Sequence, residues 1–308
     1  MRIFDTSTWE RNEAAAMVTF LDFLLGGVSQ GAVIALMALA LVLVWRSSRV
    51  VNFAQAGQAM FTTFIGLFAF RQTQSWLLAL LLAVAAGAVL GLIVHVLVMR
   101  PVRRQDPSGA IIASFGVLIA LQAAASMIWG VDPQAFPPVI SAMGMEAFGR
   151  IWPYSPYDLV VLFGATGLVI ALTLLFTRTS LGLQMRAAAF NPTAARLSGV
   201  RVSRMLALGW VLAGVVGAIA GVLIAPTSFV NPYAFDLLLI LAFTAAVIGG
   251  LESLGGAIGF GVGTGLVLSL VTGYSDASNA SLVAIALLAV NLLVKPEGVF
   301  GHRHARSV

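Results

Sequence analysis

Long apolar runs, separated by short polar segments, dominate the pattern of the chain. The nine runs are residues 20–45, 50–70, 76–99, 108–130, 159–177, 205–225, 237–251, 254–274 and 280–294. A helix needs about 20 apolar residues to cross the hydrocarbon core of a bilayer, and 237–251 and 280–294 are shorter than that. The pattern predicts an all-α fold, a polytopic transmembrane helix bundle. It has eight or nine membrane segments, depending on whether one short segment is re-entrant.

Basic residues cluster in alternate loops between these runs. Thirteen of the 17 lysines and arginines are Arg46, Arg49, Arg100, Arg103, Arg104, Arg178, Arg186, Arg196, Arg201, Arg204, Lys295, Arg303 and Arg306. Loops rich in Lys and Arg usually face the cytoplasm. We therefore expect the N-terminus outside and the C-terminus in the cytoplasm. That orientation needs an odd number of full crossings, which favours nine, or seven with a re-entrant pair.

Composition agrees with a membrane protein. Hydrophobic residues make up 60% of the 308 residues and charged residues only 9%, against about 25% charged residues in a typical soluble domain. This balance excludes a soluble enzyme, a disordered chain and a nucleic-acid binder. The chain has no cysteine, and its single lysine, Lys295, precedes a proline. A P-loop needs a lysine followed by Ser or Thr, so an ATP site of that kind would have to come from a partner.

The runs divide the chain into one domain with two tails. Residues 1–18 form a polar extracytoplasmic tail, 19–301 a single transmembrane domain, and 302–308 a cytoplasmic tail. Five prolines in 131–158 forbid a long helix in this extracytoplasmic loop. The loop is therefore a structured cap, a docking surface or a plain connector.

The cytoplasmic loop 178–204 carries clear helix signals. Ser180–Phe190 reads as an amphipathic helix. Asn191 suits an N-cap, Pro192 the first helical position, and Gly199 a C′ position of positive φ. These signals predict a second helix of about two turns with both ends specified. Residue chemistry alone leaves two roles open for it, an interfacial helix on lipid or a docking element.

Glycines recur at four-residue spacing in several runs. They are Gly87 and Gly91, Gly217 and Gly221, and Gly255, Gly259 and Gly263. Small residues on one face allow helices in a membrane to approach closely. The spacing predicts close packing of the spans, and general packing is a better explanation than a direct role in binding solute.

Polar side chains inside a span are costly and often mark a pathway. Asn52, Gln55 and Gln58 share one helical face, and Gln122 lies within the fourth run. Glu252 stands in a glycine-rich break where a helix should be interrupted. All five are pathway candidates. Interhelical hydrogen bonds are the alternative for the amides, and a turn facing water is the alternative for Glu252.

Catalytic motifs are nearly absent. Gly27–Gly31 matches the Gly-x-Ser-x-Gly pattern, but that motif needs a strand before it, and here it opens a transmembrane helix. There is no His-Glu-x-x-His sequence. We assign no catalytic residue, no metal ligand and no cofactor.

Five motifs together resemble the permease subunits of ABC importers of the branched-chain amino acid type. Met185–Val200 resembles their cytoplasmic coupling loop. The other motifs are Val50–Gly57, Arg100–Arg103, Ala242–Ala257 and Lys295–Gly301. Of these, Arg100–Arg103 reads Arg-Pro-Val-Arg and resembles the family's Arg-Pro-Leu-Arg turn. The resemblance extends from about residue 20 to residue 301.

This resemblance implies an integral inner-membrane permease subunit of an ATP-driven importer for branched-chain or other hydrophobic amino acids. It implies partner ATPase subunits, a second permease subunit and an extracytoplasmic solute-binding protein, with ATP hydrolysis performed by the partners. The ATPase contact would involve Arg186, Ala188, Asn191, Pro192, Ala194, Ala195 and Gly199.

Three positions depart from the family pattern. Phe190 replaces an acidic residue before Asn-Pro, Gln55 and Ala56 stand where the family has His, and Glu252 replaces a small residue. The first bears on the ATPase contact, and the other two bear on the solute. The alternative function is a stand-alone channel or secondary transporter for a small neutral solute such as urea or an amide.

Overall fold

The computed structural model describes residues 6–105, 109–147, 150–152, 154–295 and 298–300. Its α-helices are α1 Thr6–Ser48, α2 Gln55–Thr73, α3 Trp76–Ile93, α4 Arg100–Gln105, α5 Gly109–Trp129, α6 Pro156–Arg178, α7 Ser180–Phe190, α8 Pro192–Leu197, α9 Val202–Ile224, α10 Asp236–Gly249, α11 Leu254–Tyr274 and α12 Ala280–Val294. A π-helix, Val94–Met99, joins α3 to α4, and 3₁₀ turns occupy Ala225–Thr227 and Ala277–Asn279. Two short antiparallel strands, β1 Met145–Ala147 and β2 Arg150–Trp152, form a hairpin between α5 and α6.

The predicted helical bundle is confirmed, and each of the nine apolar runs contains a helix. Among the described residues, six helical segments are long and apolar enough to cross a membrane: Met17–Ser48, Trp76–Val102, Gly109–Trp129, Pro156–Arg178, Val202–Thr227 and Leu254–Tyr274. Asp236–Gly249 and Ala280–Asn291 are apolar but shorter. The count of eight or nine membrane segments therefore stays a prediction.

Two local expectations differ from the structure. Helix α1 begins at Thr6, so much of the predicted polar tail 1–18 is helical and continuous with the first span. The predicted turn at Arg100–Arg103 is part of the short helix α4, because a proline in the first turn of a helix is tolerated. Residues 1–5 and the predicted tail 302–308 lie outside the described residues.

The bundle has two distinct ends. At the end that we call the basic end, Arg49, just after α1, pairs with Glu252 in the turn between α10 and α11. Helix α7 lies at this end as well, because Arg186 lines the same cavity as that pair, and so does α8, because Arg196 lines a second cavity together with Arg49. At the opposite end, Trp76 Nε1 donates a hydrogen bond to the Pro137 carbonyl over 2.8 Å. Successive long helices run between the two ends in alternating directions.

Helix α1 occupies the centre of the bundle. Every residue from Val33 to Val44 is buried, and α1 packs against α9, α10 and α11. A Cβ on Gly31 would lie 2.7 Å from Cα of Val262 in α11, which is closer than side chains pack. In the same way, a Cβ on Gly214 of α9 would overlap the Gly87 carbonyl of α3. Glycine therefore allows two pairs of helix backbones to touch.

The prediction from glycine spacing is confirmed for only part of the set. A Cβ on Gly87, Gly91, Gly217 or Gly221 would collide with a neighbouring helix. By contrast, a Cβ on Gly255, Gly259 or Gly263 would meet nothing within 4 Å. The close contacts of α11 are made instead by other glycines: Gly261 and Gly265 against α1, Gly256 against Gly249 of α10, and Gly273 against Phe23.

Candidate functional site

Single residues join the helices of the loop at the basic end. Thr179 ends α6 and also caps α7, because its hydroxyl accepts a hydrogen bond from Gly182 N over 3.2 Å. Asn191 ends α7 and caps α8, accepting from Thr193 N over 3.1 Å and from Ala194 N over 3.0 Å. Gly199 follows α8 with φ of +82°. The predicted short helix with two specified ends is confirmed.

Helices α7 and α8 have one buried and one exposed face. Met185, Ala188 and Ala195 are buried against the bundle, where α7 contacts α1, α6 and α9. Four large apolar side chains are exposed instead: Leu181 (43%), Leu183 (61%), Phe190 (85%) and Leu197 (86%), the last two most fully. Of the coupling residues predicted from the sequence, Ala188 and Ala195 therefore hold the loop in place. The exposed members of that set are Arg186, Asn191, Pro192, Ala194 and Gly199.

A cavity of about 410 Å³ lies between this loop and the bundle. We call it the Glu252 cavity, and its charged lining residues are Arg46, Arg49, Arg186 and Glu252. The Arg46 guanidinium lies 5.5 Å from the ring centroid of Phe176, a cation–π distance. Glu252 itself lies in the turn between α10 and α11, at the end of the bundle, and its side chain is 36% exposed. This placement favours the alternative of a water-facing turn over a position deep in a pathway.

The three amides of the second run form a buried cluster with an unexpected geometry. Asn52 lies in the turn before α2, which begins only at Gln55, so the three do not share one helical face. The Asn52 Nδ2 donates to Gln55 Oε1 over 3.1 Å, and Gln55 Nε2 donates to the Ala213 carbonyl of α9 over 2.9 Å. These bonds match the alternative of interhelical hydrogen bonding for Gln55.

Gln58 differs from its neighbours. Its side chain is 1% exposed, and neither amide atom has a hydrogen-bond partner within the described residues. A buried polar group without a partner costs about 1–3 kcal/mol. Within the described residues, Gln58 is therefore the amide of this cluster with both side-chain atoms free to bind a solute or water, and the Asn52 Oδ1 is also without a partner there.

Gln122 has a partner that the sequence analysis missed. Its Nε2 donates to both carboxylate oxygens of Asp236, over 2.9 and 3.1 Å. Asp236 occupies the first turn of α10, where a negative charge interacts favourably with the helix dipole. The sequence did contain a signal for this partner, because Asp236 is an acidic residue directly before the short apolar run 237–251. The pair joins α5 to α10 within the helical bundle.

Long apolar helices that run between two ends, with buried polar side chains and a capped loop at one end, are the features of a polytopic membrane protein. The family model described as the permease component of the branched-chain amino acid transport system matches residues 23–292. The chain belongs to this family, as the sequence motifs indicated. Membership favours a permease subunit over a stand-alone channel.

Similar proteins with known names agree with this assignment. The high-affinity branched-chain amino acid transport system permease protein LivH of Escherichia coli (strain K12) is 28% identical over 301 residues, covering 94% of this chain and 98% of LivH. The corresponding protein BraD of Pseudomonas aeruginosa is 28% identical over 303 residues, covering 94% and 98%. The fructose import permease protein FrcC of Rhizobium meliloti is 30% identical over 199 residues, covering 62% of this chain and 53% of FrcC.

A solved structure shares the fold. A chain from an inward-facing ABC transporter described as of the metal-chelate type superposes with a TM-score of 0.50 and 17% identity. The match covers 89% of this chain and 85% of the other. At this level of identity the similarity concerns the helical architecture alone.

Proposed function

We propose that this chain is the membrane-spanning permease subunit of an ATP-driven importer for branched-chain or other hydrophobic amino acids. Its family and its named relatives support this function. The structural observation that carries it is the capped pair α7–α8, which buries one face against the bundle and exposes Phe190 and Leu197 on the other.

The loop is built to transmit displacement. Because Thr179 and Asn191 each end one helix and cap the next, α6, α7 and α8 follow one another without flexible linkers. Partner ATPase subunits would bind the exposed face of α7 and α8, at Phe190, Leu197 and the exposed coupling residues. Closure of the ATPases on binding ATP would then move α6 and α9 through α7.

We further propose that the basic end faces the cytoplasm, because Lys and Arg concentrate on that side of membrane proteins. The N-terminus would be outside and the C-terminus in the cytoplasm, with nine crossings of the inner membrane. A solute-binding protein would deliver the amino acid at the opposite end, near loop 131–158. The pathway would pass Gln58 and the pair Gln122–Asp236, along an interface with a second permease subunit.

The first test is affinity purification of the tagged chain in mild detergent from its native membrane, with mass spectrometry of the proteins retained. We expect P-loop ATPase subunits and a second permease in stoichiometric amounts. The purified complex and its solute-binding protein should then support ATP-dependent uptake of leucine into vesicles. A chain that purifies alone as a homo-oligomer, or one that conducts urea without ATP, would contradict the proposal.

The contact itself is tested by the double substitution Phe190→Ala and Leu197→Ala. Because both side chains are exposed, the variant should fold and insert normally but retain less ATPase on purification, and leucine uptake should fall at least tenfold. Phe300→Ala is the matched control, since Phe300 is 56% exposed at the same end but lies outside α7 and α8. Equal ATPase retention in both variants would show that the contact lies elsewhere.

A further inference from the structure

A second cavity at the basic end, of about 320 Å³, has a different chemical character from the Glu252 cavity. It lies between α8, the start of α9, the end of α1 and the π-helix. We call it the arginine cavity, and its polar lining residues are Ser47, Ser48, Arg49, His95, Arg100, Arg196, Ser203 and Trp210. Its volume is at the lower end of the range for cavities that hold small ligands.

The arginine cavity carries an excess of positive charge. No carboxylate is among its described lining residues. Arg49 forms its ion pair with Glu252, which lines the other cavity. Arg100 and Arg196 have no ion-pair partner in the part of the chain that the structure describes. Two guanidinium groups at one cavity without a counter-charge favour binding of an anion, and Arg geometry suits phosphate in particular.

A buried donor in the wall of the cavity also lacks an acceptor. Trp210 is 1% exposed, and its indole Nε1 has no hydrogen-bond partner within the described residues. The hydroxyls of Ser47 and Ser48 already donate to the Val44 carbonyl, over 3.0 and 2.8 Å. A buried N–H group without an acceptor is unfavourable, so Trp210 would gain from an anion that came within reach of its indole ring.

The position of the cavity matches the level of lipid head groups. Arg100 lies near the end of the apolar span Trp76–Val102, and Arg49 directly follows the span that ends at Ser48. The π-helix that forms one wall exposes apolar side chains on its other side, with Leu97 68% and Val96 41% exposed. An exposed apolar wall of this kind contacts hydrocarbon in a membrane, so a lipid can reach the cavity along it.

We propose that the arginine cavity binds the phosphate group of an anionic phospholipid. Arg100 and Arg196 would pair with the phosphate, and the π-helix would contact the acyl chains. Basic pockets between helices at a membrane surface commonly bind such head groups. Because α8 contributes Pro192 and Arg196 to the cavity, a bound head group would hold α8 against the bundle. The anionic lipid content of the membrane would therefore tune how firmly the coupling loop is seated.

The test is native mass spectrometry of the purified chain after removal of lipid, with phosphatidylglycerol or phosphatidylcholine added at equal concentration. The wild type should retain phosphatidylglycerol more strongly. The double variant Arg100→Gln/Arg196→Gln should bind it about 30-fold more weakly, the effect of two basic side chains at a membrane surface. Arg201→Gln is the matched control, because Arg201 is exposed at the same end but does not line the cavity.

Two further measurements complete the test. A lysine variant controls for misfolding, and added inorganic phosphate shows whether the ligand is a lipid or free phosphate. The variant Arg100→Lys/Arg196→Lys should keep most of the binding, since it keeps the charge. If inorganic phosphate raises the thermal unfolding temperature of the wild type but not of the glutamine variant, while the two lipids bind equally, the ligand is free phosphate.

Two further results would also overturn the lipid site. The first is that Arg100→Gln/Arg196→Gln retains as much phosphatidylglycerol as Arg201→Gln does, while inorganic phosphate leaves the thermal unfolding temperature of the wild type unchanged. The other is complete loss of the bound lipid when ATPase subunits are added, which would assign the arginine cavity to the ATPase contact. Neither result would contradict ATP-driven uptake of amino acids, so failure of the lipid site is distinct from failure of the proposed function.

Discussion

Along the contact between α1 and α11, glycines bring two backbones together, whereas α7 and α8 are held by short-range caps and by one buried face. In the first region, Gly31 and Gly265 lie 234 positions apart in the chain and meet without any side chain between them. In the second, Asn191 caps a helix that begins at the next residue. The bundle therefore depends on the shape of distant surfaces, while the coupling loop depends on a few neighbouring residues. Damage to the two should differ in kind, the first affecting folding and the second affecting transport.

The largest effect is expected from Gly265→Leu in the glycine contact. A side chain there would overlap the Gly31 backbone, which cannot move without shifting α1. We expect a loss of at least about 3 kcal/mol, the upper range for overpacking, and aggregation on size-exclusion chromatography. The control Gly263→Leu has open space around its Cβ and should elute as the wild type does. Similar profiles for both would show that the helices are not in close contact.

A smaller effect is expected from Gln55→Leu in the buried amide cluster. The change leaves the Ala213 carbonyl and Asn52 Nδ2 without their partner, which should cost about 2 kcal/mol. Thermal unfolding in detergent measures the loss. The exposed Gln72 of α2 provides the control, since Gln72→Leu should change stability by no more than about 0.5 kcal/mol. If Gln55→Leu unfolds at the same temperature as the wild type, water must already hydrogen-bond to the groups of this cluster.

In the coupling loop, Asn191→Ala should cost only about 1 kcal/mol, the usual value for a lost N-cap. Its effect on transport should be larger than its effect on stability, because α8 would fray at the end where we propose that the ATPase binds. Hydrogen exchange at the α8 amides and ATP-driven leucine uptake measure the two effects. Asn191→Asp keeps the capping oxygen and should restore both. Normal uptake with a frayed α8 would remove this helix from the coupling mechanism.

The smallest effect is expected for the ion pair of Arg49 and Glu252. Both side chains are partly exposed, 40% and 36%, and pairs of this kind contribute roughly 0–1 kcal/mol. A double-mutant cycle with Arg49→Gln and Glu252→Gln should give a coupling energy of about 0.5 kcal/mol that falls as salt is added. A coupling energy above about 2 kcal/mol, insensitive to salt, would show that the pair is shielded from water.

The sequence predicted those features that depend on neighbouring residues. Apolar length identified the nine helical runs, and the Asn191–Pro192 pair with Gly199 located α8 at both ends. The break between α10 and α11 was predicted from its glycines, and Gly250 has φ of +87° there. Each of these signals lies within one continuous stretch of the chain, so no knowledge of the rest of the fold was needed.

Contacts between distant segments could not be predicted in the same way. Gln122 and Asp236 are 114 residues apart, and Arg49 and Glu252 are 203 residues apart. Four-residue spacing identified a glycine face on α11, but spacing does not reveal which face meets a neighbour. The glycines that contact α1 proved to be Gly261 and Gly265. Asn52 was assigned to α2 because an amide three residues before Gln55 fits a helix equally well.

The glycine contact described above also restricts how the protein can move. A shift of α11 along α1 by one residue, about 1.5 Å, would bring the side chain of Val262 or Leu266 towards the backbone of Gly31 or Gly27, where no space exists. The two helices therefore have a single register and cannot slide past one another. If the chain opens to either side of the membrane during transport, α1 and α11 would therefore have to move together as one body.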